Sequence, residues 1–160
     1  MSHRNVLGNV AQFRELLDAK KTDAILASLP FFHTFGSTVT LWYPLIEGVQ
    51  IVTYPNPLDA AKCAALIDRY KLTFLLLTPT FLRLYLRKAE PEQLNTLRLI
   101  ITGAEKLPLE LASHFEERFH KKVFEGYGLT ETAPVVSVNL PDPEPPKPGD
   151  HVQPSSRVGS

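Results

Sequence analysis

The sequence predicts an α/β fold, a mostly parallel sheet flanked by helices. Three observations carry this. Short, largely apolar runs recur at Ile25–Leu29, Val49–Thr53, Phe74–Leu77 and Arg98–Thr102. Between them lie longer stretches whose apolar positions repeat at helical spacing. Prolines and glycines punctuate the junctions, at Pro30, Pro79, Gly103 and Pro108. Strand-then-helix alternation of this kind is the pattern of βαβ units around a parallel sheet. A chain of 160 residues is the size of one domain, burying roughly 70% of its unfolded surface.

The elements follow in order. Val6, Val10, Phe13 and Leu17 form one stripe of a first helix, with Ser2 as its cap. Ile25–Leu29 is a buried strand closed by Pro30. His33–Gly48 is apolar on most sides and reads as a buried helix, or a long loop plus helix. Val49–Thr53 is a strand, and Pro55-Asn56-Pro57 a turn. Cys63, Leu66, Ile67 and Tyr70 mark a second stripe. Phe74–Leu77 is a strand and Pro79–Lys88 a helix with proline in its first turn. Arg98–Thr102 is a strand ending at Gly103. Leu111, Ala112, Phe115 and Phe119 form a helix face after Pro108. Val123–Phe124 is a short strand running into Gly126-Tyr127-Gly128, and Val135–Val138 is the last strand. The α/β unit is expected over 1–140, with 141–160 a proline-rich, flexible exit segment. Of 14 prolines, seven lie at or after Pro134.

Composition narrows the function. Basic and acidic side chains number 17 each, a balance that argues against nucleic acid or an anionic membrane as the main partner, since both select a basic excess. Cys63 is the single cysteine, so no intrachain disulfide forms and a reducing, cytoplasmic compartment is expected. No apolar run approaches the ~20 residues of a membrane span, and the chain opens without a signal peptide.

In parallel sheets ligands bind beyond the carboxyl ends of the strands, so chemistry is expected after Leu29, Thr102 and Phe124. The segment Glu125-Gly126-Tyr127-Gly128-Leu129-Thr130-Glu131-Thr132 is the most informative. Its glycines let a ligand approach the backbone, Tyr127 offers a flat face, and Thr130 a hydroxyl for a phosphate oxygen. Glu131 is a hard oxygen ligand suited to Mg²⁺. The same residues also fit a tight turn with one exposed aromatic. Gly103-Ala104-Glu105 leaves room for a planar ligand, or is an ordinary βα turn with a solvated glutamate. His33, among Phe31, Phe32 and Phe35, either lines an apolar pocket and exchanges a proton near neutral pH, or is a core histidine with satisfied nitrogens. The chain contains no Gly-x-Gly-x-x-Gly, no Gly-x-x-x-x-Gly-Lys-Ser/Thr, no Gly-x-Ser-x-Gly, no His-Glu-x-x-His and no paired-cysteine spacing.

These three segments, in this order, resemble the adenylate-forming superfamily of acyl-CoA synthetases, luciferases and peptide-synthetase adenylation domains. Tyr127-Gly-Leu-Thr-Glu-Thr132 is similar to its adenylate-binding motif, and Pro30–Gly36 to its Pro-x-x-His-x-x-Gly segment. Ser2-His3-Arg4-Asn5 resembles the stretch downstream of its phosphate loop. Gly103–Leu107 and Glu125–Asn139 look most like the synthetase half of bacterial acyl-acyl carrier protein synthetase/2-acylglycerophosphoethanolamine acyltransferases.

The resemblance implies a subdomain of the large N-terminal domain of such enzymes. It implies ATP and AMP as nucleotide, Mg²⁺ as metal, a fatty acid or other carboxylate as substrate, and coenzyme A or acyl carrier protein as thiol acceptor. It places Gly103, Ala104 and Glu105 along the adenine and Tyr127 stacked on it. Glu125, Gly126, Gly128 and Leu129 form the surrounding wall. Thr130 would touch the α-phosphate, Glu131 would hold Mg²⁺, and His33 would stand at the acyl pocket. An aryl-acid ligase and a non-catalytic binding module of the same fold are the competing readings. Amino-acid activators of the superfamily carry an aspartate near the His33 region, and none lies between Ala24 and Gly48.

The family's phosphate loop would precede Met1, and its ribose-binding aspartate and catalytic lysine would follow Ser160. Lys147-Pro148-Gly149 resembles the family's Lys-Pro-Gly turn, but Asp150–Arg157 then departs from the pattern. The chain is therefore expected to be a fragment of a larger parent, cytoplasmic, with the inner face of the membrane as a further location for that parent. The purified 160-residue chain is expected to show no ATP–pyrophosphate exchange above a Thr130→Ala control. It is also expected to self-associate in light scattering, because faces meant for absent segments lie bare.

Overall fold

A computed structural model describes residues 2–140; the exit segment expected over 141–160 lies outside the described residues. Six strands form one sheet: β1 (Ala24–Ala27), β2 (Gln50–Thr53), β3 (Phe74–Leu77), β4 (Leu99–Thr102), β5 (Phe124–Gly128) and β6 (Val135–Val138). Their order is β2-β1-β3-β4-β5-β6. The first five run parallel, and β6 returns antiparallel to β5. The α/β, mostly parallel architecture is the one the alternation predicts.

Five α-helices flank the sheet: α1 (His3–Leu17), α2 (Tyr43–Glu47), α3 (Ala60–Tyr70), α4 (Pro79–Lys88) and α5 (Leu109–Phe119). The starts of α1, α3 and α4 are chemically marked. Ser2 accepts the Asn5 N–H at 3.3 Å, Asp59 the Lys62 N–H at 3.1 Å and Thr78 the Phe81 N–H at 3.4 Å. Each satisfies one of the amides that a helix start leaves bare. The stretch predicted as buried helix or loop is a helix wound wider, a π-helix over Gly36–Trp42 that leads straight into α2.

Strand side chains alternate between the two sheet faces. On one, Leu26, Leu75, Leu77 and Ile100 meet Cys63, Ile67, Leu82, Tyr85, Leu111 and Phe115 from α3, α4 and α5. On the other, Ile25, Phe74, Leu76 and Ile101 meet Val10, Phe13 and Leu17 of α1 and Val39 and Tyr43 of the wide helix. The result is a three-layer sandwich with apolar residues on both faces of the sheet, as parallel strands require. Among the described residues no helix is long and apolar enough to cross a membrane.

The amino ends of the central strands are joined by one ion pair. Arg98, just before β4, grips Asp23, just before β1, through Nε at 2.9 Å and Nη2 at 2.6 Å. The Asp23 carboxylate also accepts the Thr73 hydroxyl and the Lys20 N–H, each at 2.7 Å. The guanidinium donates onward to the Asp18 carbonyl at 2.9 Å and lies 4.4 Å above the Phe74 ring. Burial alone would raise the Asp23 pKa. The Arg98 bond, with the Lys20 and Thr73 donors, outweighs it and holds the carboxyl down at about 2.

A folded-state pKa below the unfolded one adds stability that is complete above the unfolded value and lost as pH falls through the folded one. That contribution is about 2 kcal/mol. Asp23→Asn is therefore expected to lower the unfolding free energy by about 2–3 kcal/mol at pH 7. In urea titrations the gap between wild type and variant should close as pH falls from about 4 to about 2. A gap that persists unchanged at the acid end would refute this account.

Candidate functional site

The opposite ends of the strands carry the three segments singled out above. After β1 the chain turns at Pro30. Gly36 packs so tightly under this turn that an added Cβ would run into the Pro30 carbonyl, so the residue has to be glycine. His33 donates its N–H to Pro30 O at 3.1 Å, and its carbonyl receives Ser37 N–H at 2.9 Å. The imidazole is exposed, which sets aside the core-histidine reading. Its Nδ1 accepts the Phe35 N–H at 3.2 Å, leaving Nε2 to carry the proton of the neutral ring.

After β4, Gly103 is held by its N–H on Leu77 O at 3.1 Å. A Cβ there would stand 3.2 Å from the Phe35 ring and 3.4 Å from Gly126 O, so this glycine lets the two neighbouring segments close in. Ala104 adopts φ 67°, a left-handed conformation rare for a residue with a side chain. Glu105 is exposed but not idle: it accepts the Thr80 hydroxyl at 2.7 Å. Glu125 accepts the Leu107 N–H at 2.8 Å, so one of its oxygens ties the Gly103–Leu107 loop to β5.

The third segment differs from the tight-turn alternative. Gly126-Tyr127-Gly128 continues β5 as strand and pairs with β6, Gly126 opposite Val138 and Tyr127 opposite Ser137. The turn comes later, as a single 3₁₀ turn over Thr130–Thr132. Its closure is a close backbone contact. An added Cβ on Gly128 would collide with the Pro134 carbonyl, whose oxygen receives the Leu129 N–H at 3.1 Å and the Thr132 hydroxyl at 2.5 Å. Tyr127, at 58% exposure, presents its ring outward. Thr130 and Glu131 are exposed at the turn, and the Thr130 hydroxyl lies 3.3 Å from that of Thr34.

Two cavities meet along this strand. One, of about 300 Å³, is floored by Phe35, Val39, Leu76, Ile101 and Val135 and rimmed by His33, Thr130 and Glu131. The other, of about 490 Å³, is bordered by Glu105, Lys106, Glu125, Ser137 and Asn139. Ala104 and Gly126–Leu129 border both. The structure thus brings every singled-out residue to the walls of one pair of cavities. The first, with its apolar floor, suits a hydrocarbon; the second, walled by Gly126–Leu129 with Glu105, Glu125 and Asn139 beside them, suits a flat heterocycle. Glu131 makes no ion pair among the described residues. One unpaired carboxylate beside a hydroxyl suits Mg²⁺, which binds through one or two carboxylates plus substrate phosphates and waters.

Sequence reasoning missed Thr80 as a neighbour of the site and gave Thr34 and Phe35 no role beyond their place in the Pro30–Gly36 segment. Thr80 carried a signal, a hydroxyl three residues past a strand's carboxyl end. Phe35 carried none beyond its place in an aromatic cluster.

The sequence model of the family described as AMP-binding enzyme matches residues 1–159. A long-chain-fatty-acid–CoA ligase of Bacillus subtilis (strain 168) is 30% identical over 146 residues, 88% of this chain and 26% of the ligase. A 4-coumarate–CoA ligase of Pinus taeda is 30% identical over 147 residues, 88% of this chain and 27% of that enzyme. Among solved structures, ATP-bound MatB from Rhodopseudomonas palustris matches with a TM-score of 0.82 at 26% identity, over 90% of this chain and 28% of that one. O-succinylbenzoate coenzyme A synthetase from Bacillus subtilis, in complex with ATP and magnesium ion, matches with a TM-score of 0.78 at 25% identity, over 88% and 29%. The chain spans about a quarter of the length of the curated relatives it matches.

The close approach at the hairpin tip makes Gly128→Ala a sharp probe. Overpacking against backbone costs about 1–3 kcal/mol, and the strain falls on the turn holding Thr130 and Glu131. A lowered melting temperature is expected in calorimetry. A wild-type melting temperature would overturn the contact as described.

Proposed function

The chain belongs to the AMP-binding enzyme family, and from that premise we propose that its gene product is an adenylate-forming acid–thiol ligase acting on a fatty acid. The single observation that carries the reading is the β5–β6 hairpin: Tyr127 stands between two adjoining cavities, and Thr130 and Glu131 line the first of them beside it. A reaction that joins an acid to a nucleotide needs two such adjoining spaces with donor and metal-holding groups close by. The ATP in the MatB structure and the ATP and magnesium in the O-succinylbenzoate synthetase structure support the assignment of ligands.

The chemistry runs in two steps. A carboxylate oxygen attacks the α-phosphorus of ATP, and pyrophosphate leaves. A thiolate then attacks the acyl carbon, and AMP leaves. Neither step calls for a protein nucleophile. The chain's own residues bind, orient and stabilise. Tyr127 stacks on adenine in the second cavity, with Gly103, Ala104 and Glu105 along its edge. Glu125, Gly126, Gly128 and Leu129 wall the nucleotide. Thr130 donates its hydroxyl to an α-phosphate oxygen, where negative charge grows. Glu131 would hold Mg²⁺, which when bound neutralises phosphate charge. His33 stands at the rim of the apolar cavity, on the path between acyl group and incoming thiol.

The acid is read as a neutral, apolar one because the floor of its cavity is Phe35, Val39, Leu76, Ile101 and Val135. Aryl acids are the nearest rival, since 4-coumarate ligases are among the relatives. Acyl carrier protein is proposed beside coenzyme A as acceptor, on the likeness of Gly103–Leu107 and Glu125–Asn139 to acyl-acyl carrier protein synthetases.

The intact gene product is expected to catalyse fatty-acid-dependent ATP–pyrophosphate exchange. Thr130→Ala should lower kcat by about 100-fold or more, the usual cost of deleting a hydrogen-bond donor to developing charge. Glu131→Gln should raise the Mg²⁺ concentration needed for half-maximal rate. Exchange with none of a panel of fatty and aryl acids would defeat the proposal, and a preference for aryl acids would replace its substrate.

A further inference from the structure

Asn9 lies on the apolar stripe of α1, between Val6 and Phe13, and is only 4% exposed. A buried amide must find partners. Those of Asn9 are 126 residues away: Nδ2 donates to the Val135 carbonyl at 2.7 Å, and Oδ1 accepts the Val135 N–H at 3.0 Å. Nδ2 is also 3.3 Å from Gln12 Oε1. Asn9 therefore occupies the place that the backbone of a further strand would take beside β6. Only a planar group with donor and acceptor side by side makes both bonds.

The other side of this segment is held by the Leu129 N–H and the Thr132 hydroxyl on Pro134 O, with Gly128 packed against the same carbonyl. Pro134 and Val135 are thus clamped from both sides. The turn over Thr130–Thr132 is what the clamp closes. Asn9, Arg4 and Glu131 also border one shared cavity, so the amide stands directly behind the acidic residue of the turn.

We infer that Asn9 is a positioning residue for the adenylating step. Through Val135 and Pro134 it fixes where the Thr130 hydroxyl and the Glu131 carboxylate stand. The inference rests on the reading of those two residues given under Proposed function. Asn9 touches neither acid nor nucleotide in this scheme; its effect passes through the turn. A small displacement is enough, because misplacing a catalytic group by about 1 Å can cost about 100-fold.

The test uses acid-dependent ATP–pyrophosphate exchange by the intact gene product. Asn9→Leu fills the space without polar atoms. It should lower kcat/KM for ATP about 10- to 100-fold while KM for the acid moves less than about threefold. Asn9→Asp adds a second readout. Its carboxylate cannot donate to the Val135 carbonyl, but its protonated form can, and burial raises its pKa. Exchange by this variant relative to wild type should rise as pH falls from about 8 to about 6, and Asn9→Leu should show no such rise. Equal losses toward ATP and acid, with a flat profile for Asn9→Asp, would make Asn9 a packing residue only and overturn the inference. If Asn9→Leu does not fold, the profile of Asn9→Asp decides alone, a rise supporting and a flat line overturning. Absence of exchange by the wild-type protein would instead defeat the reading of Thr130 and Glu131, and this inference with it.

Discussion

The Asp23–Arg98 pair is the constraint on which the rest of the chain is hung. It sits at the amino ends of β1 and β4, takes in Thr73 just before β3, and reaches the last carbonyls of α1. A buried charge is costly unless its hydrogen-bonding capacity is filled. Here both carboxylate oxygens are filled, from three separate points of the chain. Four elements are thereby registered at one end of the sheet. The other end is free of that duty, and its loops can be shaped for ligands.

That shaping is done mostly by absent side chains. Gly36 under Pro30 and Gly128 against Pro134 each bring two stretches of chain closer than a Cβ would allow, and Gly103 beside Phe35 leaves room that a Cβ would crowd. The first folds the His33 loop back on itself. The second closes the hairpin tip. The third narrows the space between β4, β5 and the wide helix. Side-chain hydrogen bonds then fix what the close contacts leave loose: Glu125 holds the Gly103–Leu107 loop and Thr80 holds Glu105. The cavities are the space left over between these contacts, so their shape follows from backbone packing more than from the residues that line them.

Much of this was legible in the sequence, for reasons that can be named. Phe74–Leu77 and Pro79–Lys88 carry strong local signals, an apolar run and a capped amphipathic helix, and both bounds agree with the structure. Ile25–Leu29 was read two residues too far because Ser28 and Leu29 are buried as deeply as the strand while no longer pairing. Gly126-Tyr127-Gly128 left a turn open because glycine is the residue of turns. It is strand because β6, itself expected from its sequence, folds back to pair with it, and no local pattern announces that pairing. The widened winding of Gly36–Trp42 was invisible, since apolar residues on every side have no period to break. Asn9 did carry a signal, a polar residue on the stripe Val6, Val10, Phe13, Leu17. Its partner could not be named, because pairing across the length of the chain leaves no local trace.

The pairing of α1 with β6 also sets a clock. During synthesis α1 emerges first, and its partner strand follows 126 residues later. At about 5–20 residues per second this is a wait on the order of ten seconds, far longer than the microseconds in which a helix forms. Until then the Phe13 and Leu17 stripe has only part of its cover, and Asn9 has no backbone to bind. The β5–β6 hairpin is therefore among the last parts of this chain to gain its final support. A ribosome that stalls before Val135 leaves a sheet anchored at its amino ends and still open at its carboxyl ends.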